Sequence, residues 1–322
     1  MPVLAWSEWF SETASIMGTE VSVTLWHSKP DEGAAAVSVV MNEMKRIDET
    51  LSPYIDSSEL SHVNRVAHHE PVALSAELAH LIGRSLHYYK VSEGAFDITF
   101  RSLAKYYDYR KAHSPTAEQR QLALKGFSAS LLHFDDLKQT LSFANEFVQI
   151  DLGGIAKGYA VDLAIAKLHA LGVRHAAVSA GGDSRVLGDK LGKSWWIGIQ
   201  HPRPKPEQAD ASVIKLPLSD IAISTSGDYE RYFIDEQTGK RVHHIINPKT
   251  QRSADSVISV TVIGPNGIDT DALSTSLFIM GVLPGLKLIN RLPGFDAVII
   301  DAGGKVHYSK GLSTPERWVS GR

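Results

Sequence analysis

The sequence contains no cysteine among its 322 residues. Disulfide bonds, thiolate catalysis and zinc–sulfur centres are therefore excluded. It also lacks an apolar run that approaches the roughly 20 residues of a membrane-spanning helix. The formal net charge is only −3, without the basic excess that nucleic-acid-binding proteins carry. Nucleic acid is therefore not an expected partner.

The N-terminal segment MPVLAWSEWFSETASIMG lacks a basic stretch followed by an apolar stretch. By itself it predicts no secretory signal in this chain. Lack of cysteine is compatible with any redox compartment. Removal of a signal or lipoprotein segment from a longer precursor is the alternative that stays open.

Strand and helix patterns alternate along the chain. TEVSVTLW alternates like a half-buried strand, whereas residues 31–51 and 75–94 have helical spacing, the second helix starting at a Ser75 cap and ending at Gly94. A hairpin is expected from LLHFDD to FVQIDL, and an exposed loop at HPRPKPEQADAS. This pattern predicts an α+β fold with mixed sheets and flanking helices, built as a single domain over residues 1–322.

Two parts of the chain share one pattern. VQIDLGG leads through a helix to HAAVSAGGDSRVLG, and SVTVIGP leads through DTDALSTSLFIMG to FDAVIIDAGGKVHYS. Both are interpreted as strand, polar loop, helix and strand, with an Ala-Gly-Gly turn. The repetition indicates two related, interlocked halves that offer helix starts to a shared cleft.

The segment IDLGGIAKGYAVD can approach a ligand closely. Paired glycines and the amides of a helix start favour an anion, and Lys157 adds a positive charge suited to phosphate. Asp151 suits a ribose hydroxyl, a ring nitrogen or a cation. The order of a Walker A loop is absent, and a plain strand-to-helix turn is the structural alternative. For SAGGD, a simple hairpin turn is the favoured interpretation.

His243 and His244 are adjacent, so on a strand they point to opposite faces, and at most one enters a given site. The Asn247-Pro248 turn that follows places His244 near a loop edge. A lone histidine is more often structural than catalytic.

The segment DTDALSTSLFIMG places Asp271 and Thr275 on one face of a helix, four residues apart. Hard oxygen ligands of this type suit Mg²⁺ better than zinc or copper, with water and phosphate oxygens completing the shell. The alternative is an ordinary helix cap by Asp269 or Asp271, with small hydroxyl residues packing behind it.

Eight segments, in this order, resemble the signatures of the ApbE family, the FAD:protein FMN transferases. They extend from about Met17 to Asp301 and are MGTEVSV, SPYIDSSELSHVN, GAFDIT, DLGGIAKGYAVD, AGGD, TSGDYERYF, HHIINP and TDALSTSLFIMG. The resemblance implies an ApbE-like fold related to T-folds, with a flavin-binding cleft between two halves. It also implies Mg²⁺-dependent transfer of the FMN part of FAD to a threonine hydroxyl of a target flavoprotein, with release of AMP.

The resemblance also implies roles for individual residues. Asp271 and Thr275 correspond to magnesium ligands through their side chains, and Gly154 through its carbonyl, at a position where many relatives have alanine. His244 corresponds to the catalytic base, and Asn247 stands where many members have aspartate. The positions that correspond to FAD contacts are Met17, Tyr54, Ala95, Phe96, Asp97, Asp151, Lys157 and Ile245.

Two other functions remain open from the sequence: an FAD pyrophosphatase that gives FMN and AMP, and a non-catalytic FAD-binding or delivery protein. The family resemblance predicts a periplasmic location, with a possible membrane anchor in the precursor. A cytoplasmic location is the alternative, since no signal is visible.

Overall fold

The structure is a computed structural model that describes residues 8–203 and 212–313. Most of the loop expected at HPRPKPEQADAS lies outside the described residues. The helices are α1 (Pro30–Leu51), α2 (Glu59–Val66), α3 (Ala76–Val91), α4 (Arg101–Ala104), α5 (Ala117–Leu124), α6 (Ala156–Ala170), α7 (Gly267–Met280) and α8 (Val282–Ile289). Short 3-10 turns cover Ile98–Phe100 and Ala129–Leu131.

Eight of the strands form one large sheet in the order β1-β2-β6-β7-β10-β15-β16-β17. These strands are β1 (Glu8–Ile16), β2 (Thr19–His27), β6 (Ala176–Ala180), β7 (Asp183–Leu187), β10 (Ala222–Gly227), β15 (Val257–Gly264), β16 (Asp296–Asp301) and β17 (Val306–Tyr308). Each pairing between neighbours in this sheet is antiparallel. The α+β class is confirmed, but this sheet is antiparallel throughout and not mixed as predicted.

The remaining strands form small ribbons. They are β3 (Val72–Ala73), β4 (Leu132–Asp135), β5 (Thr140–Phe143), β8 (Trp195–Gln200), β9 (Ser212–Leu218), β11 (Tyr232–Ile234), β12 (Arg241–His243), β13 (Ile246–Asn247) and β14 (Arg252–Ser253). These strands form four small sheets that are separate from the hydrogen-bond network of the large sheet: β8–β9, β11–β12, β13–β14 and the three-stranded β3-β5-β4.

The large sheet consists of two halves that lie side by side. The first half contains β1, β2, β6 and β7, and the second contains β10, β15, β16 and β17. In each half, two strands are followed by helices and then by a two-stranded hairpin. The helix and the hairpin of the predicted repetition are present in both halves, whereas VQIDLGG forms no strand. The halves join where β7 pairs with β10.

Successive side chains along the strands point to opposite faces of the large sheet, and each face packs into its own hydrophobic core. Ala297 and Ile299 of β16 belong to the main core, where the sheet packs on α1, α6 and α7, whereas Val298 between them faces the other side. There the ribbon β8–β9 covers the sheet, and Trp195 packs edge-on against Trp9 with ring centroids 5.6 Å apart. Among the described helices, none is long and apolar enough to cross a bilayer.

The segment before α6 is not a strand, so that part of the prediction was wrong. The hairpin pairs β4 with Thr140–Phe143 instead of FVQIDL. The side chain of Asn64 takes the place of a partner strand, because its amide donates to the carbonyl of Ile150 (2.9 Å) and its oxygen accepts from the Ile150 N–H (2.8 Å). Side chains that pair with backbone in this way leave no periodic signal in the sequence.

The predicted Ser75 cap is confirmed, since its hydroxyl accepts from the Leu78 N–H at 3.1 Å. The helix ends at Val91, however, three residues before Gly94. Gly94 has a φ of +83°, which a residue with a side chain rarely adopts.

Helices α6 and α7 meet at two glycines. A Cβ atom added at Gly158 would lie 2.0 Å from the carbonyl oxygen of Gly267, and one added at Gly267 would lie 2.4 Å from that of Gly158. No side chain fits at such distances, so the two backbones are in direct contact. This contact fixes the start of α6 against the first turn of α7, where the predicted site residues lie.

We predict that Gly158→Ala lowers the free energy of unfolding by about 3 kcal/mol, because the added methyl meets backbone that cannot rotate away. Denaturant unfolding measures the change. Gly83→Ala in α3 is the matched control, since its methyl would meet only the ring of Phe134 at 3.6 Å. In the control, the free energy of unfolding should rise by about 0.5–1 kcal/mol, because alanine has a higher helix propensity than glycine. Equal stability of the two variants would contradict the close helix contact.

Candidate functional site

Charged side chains from three segments converge at the start of α6. The Asp271 Oδ2 atom accepts a hydrogen bond from the Gly158 N–H at 3.0 Å and lies 3.5 Å from the Lys157 Nζ atom. Lys157 Nζ also lies 2.9 Å from the Oδ2 atom of Asp183, which is the first residue of β7. Two carboxylates therefore share one ammonium group.

The cluster of Lys157, Asp183 and Asp271 carries a buried net charge of −1 when all three groups are ionised. Both aspartates are only 2% exposed. Burial raises the pKa of Asp271, and the negative charge of Asp183 raises it further, while Lys157 acts in the opposite direction. Burial alone would lower the pKa of Lys157, but Asp183 and Asp271 raise it above its ordinary value. The uncompensated negative charge favours a cation.

The three predicted metal ligands lie together. Thr275 follows Asp271 by about one turn of α7, and a methyl added at Gly154 would lie 3.3 Å from the Thr275 Oγ1 atom. The same methyl would lie 3.1 Å from the Phe96 ring, so alanine at position 154 requires a small shift of that ring. One carboxylate, one hydroxyl and one carbonyl form a set of hard oxygen ligands, which fits Mg²⁺.

Within residues 8–203 and 212–313, no group of three or more His, Asp or Glu side chains could hold a metal. A cation at Asp271 would therefore need part of its shell from a bound ligand or water, as Mg²⁺ commonly does.

Hydroxyl groups support this set from the end of β10. The Ser226 Oγ atom lies 3.3 Å from the Thr275 Oγ1 atom and 2.8 Å from the Ser274 Oγ atom. Ser274 in turn donates to the carbonyl oxygen of Asp271 at 2.9 Å. These bonds hold the first half of α7 against the sheet.

The two adjacent histidines have different environments. The His243 ring is buried, with its Nε2 atom 2.7 Å from the Ala254 carbonyl oxygen, and it packs edge-on against Phe278. The His244 Nδ1 atom is buried and has no hydrogen-bond partner within the described residues. His243 is thus a satisfied core residue, whereas His244 has an available ring nitrogen.

His244 is neutral at ordinary pH. Burial lowers its pKa to about 3, and the positive charge of Arg231 contributes next, followed by His243 and Lys157. The charges of Arg231 and Lys157 therefore both act on the His244 imidazole. A neutral imidazole with an unpartnered nitrogen can accept a proton.

Two of the residues predicted to contact FAD, Asp151 and Phe96, lie at the glycine-rich turn. Asp151 is buried, and its Oδ1 atom accepts from the Gly153 N–H at 2.7 Å. Burial raises the pKa of Asp151, and Arg101 opposes this shift. Phe96 reaches Gly154, as described above, and Ala95 beside it is buried. Tyr54, in contrast, is 72% exposed.

Other predicted contact residues are engaged within the protein. The Asp97 carboxylate accepts from the Thr99 N–H (2.8 Å) and from the Ala129 N–H (3.0 Å), and burial raises its pKa. Ile245 is 6% exposed, and its N–H donates to His243. Met17 lies in the turn between β1 and β2 with a φ of +55°, and its N–H donates to Asp48.

Sequence reasoning missed three charged residues of the site. Asp183 was assigned only to a hairpin turn, which does exist between β6 and β7, yet its carboxylate binds Lys157. Arg231 lies beside Gly18, whose carbonyl oxygen accepts from Nη2 at 3.2 Å, and its charge acts on Asp151 and His244. Arg101 lies 3.6 Å from Asp151. For Asp183 and Arg231, the available signal was their place within AGGD and TSGDYERYF.

Comparison with known proteins identifies the family. The family model described as the ApbE family matches residues 17–299. The chain belongs to the ApbE family. The resemblance inferred from the eight motifs is therefore confirmed, over almost the same range.

Two curated relatives of this ApbE family member have the same name. The chain is 34% identical over 279 residues to the FAD:protein FMN transferase of Haemophilus influenzae, covering 84% of this chain and 78% of that protein. It is 29% identical over 331 residues to the FAD:protein FMN transferase of Treponema pallidum, covering 97% and 90%.

Solved structures agree with the ApbE assignment. The crystal structure of the ApbE protein from Thermotoga maritima matches with a TM-score of 0.86 and 31% identity, covering 95% of this chain and 98% of that chain. The flavin transferase ApbE from Vibrio cholerae matches with a TM-score of 0.82 and 26% identity, covering 95% and 99%.

We predict that His244 in the ligand-free protein stays neutral until the pH approaches about 3, far below the 6.5 of an ordinary histidine. Between these pH values the unfolded chain binds a proton at this position and the folded protein does not. The contribution of His244 to stability is therefore complete above pH 6.5 and is lost as the pH falls. An NMR titration of the imidazole nitrogens, assigned with His244→Gln, measures the pKa.

His244→Gln should also make the acid side of the stability profile less steep. An imidazole that titrates near pH 6.5 in the folded protein, or an unchanged slope in the variant, would contradict this environment.

Proposed function

We propose that this protein is a FAD:protein FMN transferase that uses Mg²⁺ and attaches FMN to a threonine hydroxyl of a target flavoprotein, releasing AMP. The observation that carries the proposal is the proximity of two features. A buried cluster with one excess negative charge and a set of hard oxygen ligands lies beside a neutral histidine with an unpartnered nitrogen. The names of the curated relatives support the transfer of flavin.

Charge balance supports a divalent metal and a pyrophosphate substrate. When its three groups are ionised, the cluster of Lys157, Asp183 and Asp271 contributes −1, and Arg231 contributes +1 at the same cleft. The two negative charges of the FAD pyrophosphate would be uncompensated without a further cation, and Mg²⁺ supplies two positive charges that polarise the phosphoryl oxygens and stabilise the leaving AMP. Gly154, Asp271 and Thr275 would hold the metal.

The residues of this chain have defined tasks in the reaction. The positive charge of Arg231 favours the anionic pyrophosphate at this cleft. His244 accepts the proton of the threonine hydroxyl as its oxygen attacks the phosphorus on the FMN side. A phosphoester bond forms to threonine, and the bond between this phosphorus and the oxygen of AMP breaks.

The experiment that tests the function is mass spectrometry of a threonine-containing acceptor domain incubated with the protein, FAD and Mg²⁺, with EDTA as the control. A mass gain of FMN less one water, with AMP release and loss of both in EDTA, is the expected result. AMP and free FMN without an adduct would instead identify an FAD pyrophosphatase. Bound FAD without either product would identify a binding or delivery protein.

We predict that Asp271→Asn lowers the affinity for Mg²⁺ by at least about tenfold and abolishes transfer at ordinary Mg²⁺ concentrations, because the amide keeps the shape but not the charge of the ligand. Calorimetric titration with Mg²⁺ and the adduct assay measure the two effects. The matched control is Asp269→Asn, on the same helix, whose carboxylate pairs with Arg84 instead. The control should retain Mg²⁺ binding, and an equal loss in both variants would remove Asp271 from the metal site.

We predict that His244→Ala lowers the single-turnover rate of transfer by about 10²- to 10⁴-fold, with FAD affinity changed little, because the threonine then lacks its proton acceptor. Rapid-quench measurement of adduct formation tests this expectation. His243→Ala is the paired variant, and it should lower the melting temperature more than the rate, since that ring is bonded in the core. Undiminished transfer by His244→Ala would reject its role as base.

A further inference from the structure

The environment of Arg101 is not explained by the reaction described above. Arg101 begins α4, and its side chain is only 12% exposed. Within the described residues, its Nε and Nη1 atoms are buried without a hydrogen-bond partner. Buried donors of a charged group that make no hydrogen bond are costly, so their presence in a folded protein calls for an explanation.

The guanidinium group of Arg101 supports Tyr54. Its central carbon lies 4.7 Å from the centroid of the Tyr54 ring, which is the geometry of a cation–π contact. The Nη2 atom also donates to the carbonyl oxygen of Pro53 at 2.8 Å, directly before Tyr54. One side chain thus contacts both the ring and the backbone of the Tyr54 loop.

The same guanidinium group links this loop to the glycine-rich turn. Its Nη1 atom lies 3.6 Å from the Oδ2 atom of Asp151, and the other oxygen of Asp151 accepts from the Gly153 N–H. The position of Tyr54 is therefore tied, through Arg101 and Asp151, to the start of α6, where the charged cluster lies.

Tyr54 is 72% exposed although its ring is held in place. An exposed aromatic ring that rests on a guanidinium group offers a flat apolar surface to a ligand. Stacking on a planar ring would cover this surface. On the proposed function, the substrate FAD provides two such rings, the isoalloxazine and the adenine.

We propose that Arg101 is a positioning residue that holds Tyr54 as a stacking platform for one planar ring of FAD. The guanidinium group lies against the phenol ring, and the substrate ring stacks on the part of that ring which is open to solvent. Arg101 acts through Tyr54 and does not touch the substrate. This inference rests on the proposed function only in taking FAD as the ligand.

Equilibrium binding without metal or acceptor tests the proposal. Dissociation constants are measured for FAD, riboflavin and adenosine, because the last two each carry one ring and no phosphate. Arg101→Gln should weaken the binding of FAD by a factor on the order of 3 to 30. It should weaken the binding of either riboflavin or adenosine by a similar factor and leave the binding of the other unchanged. The ligand that is affected identifies the stacked ring. A loss for FAD alone would indicate direct contact with phosphate and overturn the proposal.

A double-mutant cycle with Tyr54 separates positioning from direct contact. Tyr54→Ala should weaken FAD at least as much as Arg101→Gln does, and adding Arg101→Gln to Tyr54→Ala should change the dissociation constant less than twofold. Tyr54→Phe, which keeps the ring, should bind FAD like the natural protein. Losses that add in the double variant would overturn the proposal.

Two further variants control for charge and for folding. Arg110→Gln removes an exposed arginine of the same segment and should leave all three dissociation constants unchanged. Arg101→Lys keeps the charge, loses the planar fork and should recover only part of the affinity. If Arg101→Gln fails to fold, Arg101→Lys replaces it in the double-mutant cycle. An Arg101→Lys variant that binds FAD as tightly as the natural protein would overturn the stacking role.

Turnover separates this proposal from the proposed function. In the transfer reaction, Arg101→Gln should raise the KM for FAD with kcat changed less than threefold. If no acceptor is modified but Arg101→Gln changes the dissociation constants as expected, the stacking role of Tyr54 is supported and the transferase activity is rejected. If transfer occurs and Arg101→Gln binds FAD like the natural protein, the stacking role is rejected and the transferase activity is supported.

Discussion

The backbone contact between Gly158 and Gly267 is the constraint on which the site depends. It brings the start of α6 so close to the first turn of α7 that the Gly158 N–H reaches the carboxylate of Asp271. Lys157 precedes this glycine, and Asp271 follows the other by about one turn, so both charges are placed by the same contact. A longer distance between the helices would separate the cation from the carboxylate and the loop carbonyl from the Thr275 hydroxyl.

Burial gives these charges their chemical properties. In water, a lysine between two aspartates would matter little, whereas here both aspartates are almost fully covered and one negative charge is left over. Burial, followed by the positive charge of Arg231, keeps His244 neutral. The cation that favours an anionic substrate therefore also helps to keep the neighbouring imidazole in the form that accepts a proton.

The sequence predicted the elements with strong periodicity and missed those held by single side chains. Helix α1, the Ser75 cap and the α7 face with Asp271 and Thr275 follow from spacing that any helix imposes. The segment at Ile150 resembles a strand, but the Asn64 amide satisfies its backbone instead of a neighbouring strand. The charged partners Asp183 and Arg101 could not be found from spacing, because their contacts join segments distant in the chain.

The junction between the two halves of the sheet is short. Strand β10 pairs with β7 over only three residues, Ala222 to Ser224, and then continues past the first residue of β7 to Gly227, paired on its other side with β15. Ser226 lies on this stretch, beyond the pairing with β7, and its hydroxyl reaches Thr275 of α7. The cleft therefore lies where the hydrogen-bond ladder between the halves stops. A ligand bound there would bridge the halves, and its binding energy would slow amide hydrogen exchange across the seam as well as at the residues it touches.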